Sequence, residues 1–180
     1  MYTTRGWWMR RGARWKSICG KTGSGSWTTS RYLILRTPAA LAGGGRHRGL
    51  RFTVGVAVEK NHREPLSMPS PLNLTAMFWA WNTGHKFARM VFISTGAPRG
   101  YWVHLGSTGC TPVGCAAANR PDVDLKDFDP ARDTVVVDLA ALLDGANIDV
   151  GATCMSGAES AACAPLFTNC GLPFGARPTG

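Results

Sequence analysis

Residues 85–108, HKFARMVFISTGAPRGYWVHLGST, are the part of the sequence that decides the fold. Residues 85–95 and 101–108 are rich in β-branched and aromatic side chains, and the Gly- and Pro-containing segment GAPRG separates them. This pattern predicts two strands joined by a hairpin-like connection. Because residues two apart in a strand point to the same side, Trp102 and His104 are expected to share one face of the second strand.

The sequence around this hairpin predicts further short strands. RFTVGVAVE, at residues 51–59, alternates like a half-buried strand, and NLTAMFWAWNTG, at residues 73–84, predicts one short helix that ends at Gly84. DTVVVDLAALL, at residues 133–143, predicts a strand that becomes helical. Short strands without helix–strand alternation favour a mainly β fold, an antiparallel sandwich or barrel-like domain with one or two short helices and a loop-rich C-terminal part.

Basic residues are concentrated at the start of the chain. Residues 1–51 hold 11 of the 20 Lys and Arg residues and none of the 11 Asp and Glu residues. A formal net charge of +9 would by itself suggest a nucleic-acid or anionic-membrane partner. The charge is confined to this segment, however, and the chain after it is slightly acidic. No run of 18 apolar residues exists, so no membrane span is predicted.

Six cysteines in 180 residues favour an oxidising compartment. Cys110 and Cys115 are separated by four residues, and Cys154 and Cys163 by eight, with Pro or Gly in each gap. Both spacings allow local disulfides that close a loop, and neither matches the paired Cys-x-x-Cys of a structural zinc site. Of the two remaining cysteines, Cys19 lies in the basic segment, and Cys170 is left over and is expected to be a buried or incidental thiol.

Trp102 and His104 form a candidate metal site, and the alternative is a core Trp beside a hydrogen-bonded His. Their side chains begin roughly 7 Å apart on one strand face, which is close enough to contact one ion. An intact indole has no free lone pair for a metal. Trp102 therefore qualifies as a ligand only if its ring is oxidatively opened to kynurenine, whose aromatic amine together with imidazoles suits copper.

Six blocks of the chain carry a resemblance to a known family. The blocks are GLRFTVGVAVEKNHREP, PSPLNLTAMFWAWNTGHKF, HLGSTGC, NRPDVDL, FDPARDTVVVDLAALL and CMSGAESAACAPLF. They resemble, in the same order, the MbnP-like copper-binding proteins, the four-Cys half of the metallo-mystery pair, over residues 49 to about 172. The resemblance implies a periplasmic or secreted, mainly β protein that binds copper and is not an enzyme.

The resemblance also implies a partner and a set of ligands. The partner is a di-haem cytochrome c peroxidase-like enzyme of the MbnH or MauG type, which oxidises a Trp to kynurenine. By motif, His62 and His104 are the implied copper ligands. Trp102 is favoured as the oxidised residue because of its Trp-x-His spacing, and Trp79 and Trp81 in the aromatic block are the alternatives.

The remaining motif positions complete this expectation. His85 is an additional candidate ligand, although the family mostly has an aromatic residue at this position. The four cysteines of the family correspond to Cys110, Cys115, Cys154 and Cys163.

Residues 1–48 depart from the family pattern. The family has an N-terminal signal and a β-rich half, whereas this segment has no signal peptide, no acidic residue and four of the seven Trp residues. If each codon is read one base back, the codons at Trp8, Trp15 and Trp27 give acidic residues, and the segment can encode strand-like strings. We therefore expect a basic, poorly ordered and out-of-frame segment at residues 1–48 and an incomplete copper-binding domain at residues 49–180.

Parts of the sequence also fit functions other than copper binding. A disulfide-stabilised β binding or structural module with no metal would use His62 and His104 only for packing. Nucleic-acid binding through the basic segment fits the charge but depends on residues that we infer to be out of frame, so no nucleic-acid partner is expected. The stretch CGKTGSGS, at residues 19–26, resembles part of a phosphate-binding loop. The first Gly of that loop would have to be at position 15, which is Trp15, and this argues against nucleotide binding.

Overall fold

The computed structural model describes residues 14–17, 48–79, 84–111, 113–129, 133–157 and 160–172. Its strands are β1 Arg14–Ser17, β2 Gly49–Thr53, β3 Phe78–Trp79, β4 Gly84–Phe92, β5 Tyr101–Gly106, β6 Thr108–Thr111, β7 Gly114–Ala117, β8 Asp122–Lys126, β9 Asp133–Val136 and β10 Thr153–Cys154. Its helices are α1 Val58–Asn61, α2 Leu139–Leu142 and α3 Ala164–Asn169, and 3-10 turns cover Pro65–Ser67, Thr75–Met77 and Ile148–Val150.

The central sheet has four strands in the order β10-β5-β4-β3. Strands β4 and β5 form the predicted antiparallel hairpin, in which Arg89 lies opposite His104 and Val91 lies opposite Trp102. Strand β3 adds antiparallel to β4, and β10 adds parallel to β5. The sheet therefore places β5, with Trp102 and His104, between two neighbours.

In the described part of the chain, three two-stranded ribbons accompany the central sheet. Strands β2 and β8 pair antiparallel, as do β6 and β7, whereas β1 and β9 pair parallel. The β6–β7 ribbon places Cys110 directly opposite Cys115. The disulfides Cys110–Cys115 and Cys154–Cys163 lie in the C-terminal half of the chain.

The larger hydrophobic core lies on one face of β5. Tyr101 and Val103 point into it and pack with Leu142 of α2 and Phe167 of α3, and the Cys154–Cys163 disulfide is part of the same cluster. The Tyr101 hydroxyl donates a hydrogen bond to the Ala162 carbonyl, so the polar end of this buried ring has a partner. Alternation along β5 then directs Trp102, His104 and Gly106 to the opposite face.

A smaller core lies against the β2–β8 ribbon. Val123, Leu125 and Phe128 are buried there, and Leu50 and Phe52 pack beside them. Arg51 and Asp124 point outward from the same ribbon, where the Arg51 guanidinium lies 2.9 Å from the Asp124 carboxylate. The alternation of the two strands thus separates an apolar side from a charged side.

Two predicted elements differ from the observed ones. The predicted helix at residues 73–84 is wrong, because residues 75–77 form a 3-10 turn and Phe78–Trp79 pair with β4 as a strand. The predicted strand at residues 51–59 ends at Thr53, since Gly55 has φ of +135° and α1 begins at Val58. In both places pairing or backbone geometry outweighs the local pattern.

The predicted fold class is confirmed. The described chain is mainly β, with short helices and a disulfide-bonded C-terminal part. The predicted strand-to-helix transition near residue 138 is also observed, and the Asp138 carboxylate caps α2 by accepting from the Ala141 N–H at 3.0 Å. In the part of the chain that the structure describes, no helix is long and apolar enough to cross a membrane.

Candidate metal site

His104 lies at the centre of the face of β5 that points away from the larger core. Its side chain is 8% exposed, and among the residues that the structure describes neither Nδ1 nor Nε2 has a hydrogen-bond partner. Burial, together with the nearby charges of Lys86 and Arg89, lowers the pKa of the imidazole from 6.5 to about 4. A buried histidine without a partner is unusual, and its neutral ring offers a lone pair to a metal.

Two tryptophans flank the His104 ring. The ring centroid of Trp79 is 6.1 Å from that of His104, with the planes tilted by 49°. The centroid of Trp102 is 6.2 Å away, with the planes at 89°. The shared strand face of Trp102 and His104 thus produces ring contact, and pairing of β3 with β4 adds Trp79, which the sequence had placed in a helix.

Gly106 allows Trp79 to approach the sheet. A Cβ at position 106 would lie 2.5 Å from Cζ3 of Trp79 and 3.0 Å from the His85 carbonyl oxygen. Any larger residue would have to displace either an indole that is 3% exposed or backbone. The close packing of Trp79 beside His104 therefore depends on this glycine.

Trp102 is held at its outer edge. Its Nε1–H donates to the Arg99 carbonyl at 3.0 Å, and the Arg89 guanidinium lies 5.7 Å from the ring centroid. Unlike Trp79, the Trp102 side chain is partly exposed. Trp102 therefore connects the buried His104 with the protein surface.

His62 approaches the other end of this face, immediately after α1. Its Cε1 would lie 3.6 Å from a Cβ on Gly84, and Gly84 is paired with Trp79. Its Nε2 lies 3.4 Å from Sγ of Cys115 and 3.5 Å from Nδ2 of Asn61. His62 is thus brought to the end of the sheet where Trp79 lies, next to the Cys110–Cys115 disulfide.

His85 is in a different environment from His104. It is buried, its Nδ1 lies 2.8 Å from the Asn61 carbonyl oxygen, and its Nε2 lies 3.0 Å from the Leu72 carbonyl oxygen. Its backbone N–H also donates to the Asn61 side chain at 2.9 Å. Both ring nitrogens are engaged by backbone, so His85 joins the Pro-rich loop to β4, and a metal would have to displace these contacts.

Ser156 and Asn119 fix the end of β5 behind the site. The Ser156 hydroxyl donates to the His104 carbonyl and accepts from the Gly106 N–H, both at 2.8 Å. Asn119 donates from Nδ2 to the Gly106 carbonyl at 2.9 Å. Neither residue was predicted from the sequence, in which their only signal is their position in turn-forming segments, where each adopts positive φ.

Not all of the predicted site residues converge on one point. His104, Trp102 and Trp79 lie together, and His62 lies beside Cys115, whereas Trp81 is outside the described residues. Within the described chain, a group of three metal-ligating side chains with their atoms within 4.8 Å of one another consists of His62, Cys110 and Cys115. Cys170 lies outside both disulfides.

Comparisons with known proteins match this architecture. The family model described as MbnP matches residues 25–156. The solved structure of MbnP from Methylosinus trichosporium is similar, with 28% identity and a TM-score of 0.56 over 69% of this chain and 53% of that chain. The chain thus spans about half the length of the solved relative that it matches. No curated protein matches it.

Proposed function

The chain belongs to the MbnP family, and from this membership we propose that it is a periplasmic or secreted copper-binding protein. The proposed ligands are the imidazoles of His62 and His104 and the aromatic amine of an oxidised Trp102. Imidazole and amine nitrogen donors suit copper. In this proposal the chain holds the ion and does not catalyse a reaction.

The observation that carries the proposal is the ring of His104, which has no hydrogen-bond partner in the described part of the chain. A buried polar group without a hydrogen bond costs free energy, roughly 1–3 kcal/mol, and such groups are rare in folded proteins. His85, in contrast, has backbone partners at both ring nitrogens. The ring of His104 therefore has the properties of a ligand, since it is neutral, buried and without a hydrogen-bond partner among the described side chains and backbone.

The third ligand requires chemistry on an indole. Insertion of two oxygen atoms across the C2–C3 bond gives N-formylkynurenine, and hydrolysis then releases formate and leaves the aromatic amine. A di-haem cytochrome c peroxidase-like partner would supply the oxidation. Oxygen and water must reach the ring, and Trp102 is partly exposed whereas Trp79 is 3% exposed, so we propose Trp102.

The alternative of a disulfide-stabilised binding or structural module with no metal has one observation in its favour. Nε2 of His62 lies 3.4 Å from Sγ of Cys115, so this histidine makes contacts within the protein. Such a module would keep its fold and its partner when His62 and His104 are both replaced by Ala, and it would never retain copper.

The test combines mass measurement with copper analysis after coexpression with a di-haem peroxidase-like enzyme. Tryptic cleavage places Trp102 in residues 100–126 and both Trp79 and Trp81 in residues 64–86. We expect the mass change of kynurenine on the first peptide only, and we expect copper to be retained by the oxidised protein but not by the unmodified one.

Two matched variants, Trp102→Phe and Trp79→Phe, separate the candidate rings. Trp102→Phe is expected to lose both the modification and the copper, whereas Trp79→Phe should keep the modification on residues 100–126. The assignment of Trp102 fails if the modification instead appears on residues 64–86 and disappears in Trp79→Phe. Absence of both modification and copper would contradict the copper function itself.

A further inference from the structure

We propose that reduction of the Cys110–Cys115 disulfide creates a second metal site, in which His62 and the two cysteine thiolates bind one Cu(I) ion. This site and the His104 site both use His62, and their other ligands are different residues. Its geometry is already present, because the ligand atoms of the three side chains lie within 4.8 Å of one another.

The β6–β7 ribbon and the position of His62 directly after α1 hold this cluster in place. The β6–β7 ribbon pairs Cys110 directly with Cys115, so both sulfur atoms stay on one face of the ribbon after the bond between them is broken. Nε2 of His62 lies 3.4 Å from Sγ of Cys115. Only small movements are therefore needed for three donors to surround one ion.

The donor set determines which metal would bind. The thiolate is the form of cysteine that coordinates metals, and the oxidised disulfide provides none. Two thiolates and an imidazole are soft to intermediate donors, which favour Cu(I). Acidic residues, which would favour a hard cation, are not part of the cluster.

Access distinguishes this disulfide from the other one. Cys110 and Cys115 are partly exposed, whereas Cys154 is 2% exposed and Cys163 is 0% exposed inside the larger core. Thiol–disulfide exchange requires the attacking thiolate to reach a sulfur atom. A dithiol reductant therefore reaches the Cys110–Cys115 pair first.

The reaction balances with a dithiol as the reductant. The dithiol transfers two electrons and two protons to the disulfide and becomes a disulfide itself, which leaves two thiols on the protein. Cu(I) then displaces the two thiol protons, and the oxidation state of the copper does not change. Binding is therefore expected to release protons and to be stronger at higher pH.

The experiment uses the full chain produced without an oxidase, so that every Trp is intact, in a Cys19→Ser, Cys170→Ser background, which removes the two cysteines outside the disulfides. The protein is treated with a limited amount of dithiol without oxygen, the reagent is removed, and Cu(I) is added as its acetonitrile complex. Bound copper is measured together with the near-ultraviolet charge-transfer absorption of Cu(I)–thiolate. We expect one additional copper per chain in the reduced protein compared with the oxidised protein.

Three variants identify the ligands. The Cys110→Ser, Cys115→Ser double variant should lose the thiolate absorption of the parent site, and His62→Ala should weaken binding by at least the roughly 10–100-fold that loss of a second-shell group costs. His104→Ala is the matched control and should bind as the parent does. This control lacks a ligand of the proposed His104 site. Binding of Cu(I) by the reduced cluster can therefore be tested even if the proposed His104 site does not exist.

Alkylation provides a measurement at the level of single peptides that does not depend on the stability of any variant. Bound Cu(I) should protect Cys110 and Cys115 of the reduced parent from iodoacetamide. Equal copper in the oxidised and reduced proteins would overturn the proposal. So would equal alkylation of these two cysteines with and without Cu(I).

Discussion

At the scale of single residues, His104 is buried and has no hydrogen-bond partner within the described ranges of the chain. Its neutral form is favoured in the folded protein because the surroundings shield the ring from water and place Lys86 and Arg89 nearby. A histidine that served only for packing would be expected to have at least one partner, as His85 does. The same feature that lowers stability therefore prepares the ring for a metal.

The lowered pKa of His104 predicts how the stability of the metal-free protein depends on pH. Between pH 6.5 and about 4 the unfolded chain binds a proton at this position that the folded chain does not. The free energy of unfolding should therefore fall as the pH decreases through this window, by about 3 kcal/mol at most, and the contribution should level off below it.

Denaturant unfolding of the parent and His104→Asn across this pH range checks the prediction. Carboxylates titrate in both proteins, so the difference between the two isolates His104. A parent that loses no more stability than His104→Asn between pH 6.5 and 4 would contradict the assigned environment.

Gly106 gives a second prediction at this scale. Gly106→Ala should reduce the free energy of unfolding by about 1–3 kcal/mol, because its Cβ would overlap the Trp79 ring and the His85 carbonyl. Gly49→Ala, also in a strand, is the control, since its nearest neighbour would be the Leu125 carbonyl oxygen at an ordinary 3.6 Å. Thermal or denaturant unfolding that shows equal stability for the two variants would refute the close packing of Trp79.

Part of the candidate site could be predicted from sequence at the residue scale. Trp102 and His104 are two residues apart in one strand, and the period of a strand alone places them on one face. The approach of Trp79 could not be predicted, because it depends on β3–β4 pairing and on the absence of a side chain at Gly106. The contact of His62 with Cys115 joins residues 53 positions apart, and no local pattern encodes it.

At the scale of elements, the end of β5 is held in place by β10 and by the segment that follows β10. Strand β10 pairs with it in parallel, and Ser156, two residues after β10, bonds the backbone of His104 and Gly106. Removing this hydroxyl leaves a buried N–H and a buried C=O with one partner fewer. The position of His104 is therefore maintained by backbone contacts from a neighbouring segment.

Ser156→Ala should accordingly lower the free energy of unfolding by about 1–3 kcal/mol. Ser67→Ala, which removes an exposed hydroxyl that donates to the Glu64 carbonyl at 2.8 Å, is the matched control and should cost less than about 0.5 kcal/mol. Chemical denaturation of both variants measures the difference. Similar losses in the two would show that the Ser156 bridge contributes little to the β5 edge.

The elements also show why some local predictions succeeded. The β4–β5 hairpin was predictable because its strands are long and the Gly- and Pro-containing segment GAPRG marks the break between them. The segment at residues 73–84 was not, because Phe78 and Trp79 pair with β4 as a strand. Short apolar runs are ambiguous between helix and strand, and here tertiary pairing decides.

At the scale of the whole molecule, the two disulfides differ in what they stabilise. Cys154–Cys163 closes a loop inside the larger core, whereas Cys110–Cys115 joins two strands of a partly exposed ribbon. Both are expected to stabilise the fold by roughly 2–3 kcal/mol through loop closure. The buried pair has an additional contribution because its sulfur atoms pack against core side chains.

Replacing each pair by Ala tests this difference. The Cys154→Ala, Cys163→Ala double variant should lose more stability than the Cys110→Ala, Cys115→Ala double variant, as measured by denaturant unfolding of both proteins under the same conditions. If the Cys110→Ala, Cys115→Ala double variant lost more stability than the other, the assignment of Cys154–Cys163 to the larger core would be contradicted.

The central claim is that this MbnP-family chain holds copper through His104. The most direct test is the ratio of copper to protein after dialysis. It compares the parent with His104→Ala, both in the form that carries the oxidised tryptophan. The parent is expected to retain one copper per chain and His104→Ala to retain almost none, while both carry the same oxidised tryptophan. Equal copper in the two proteins, or none in the parent, would contradict this claim.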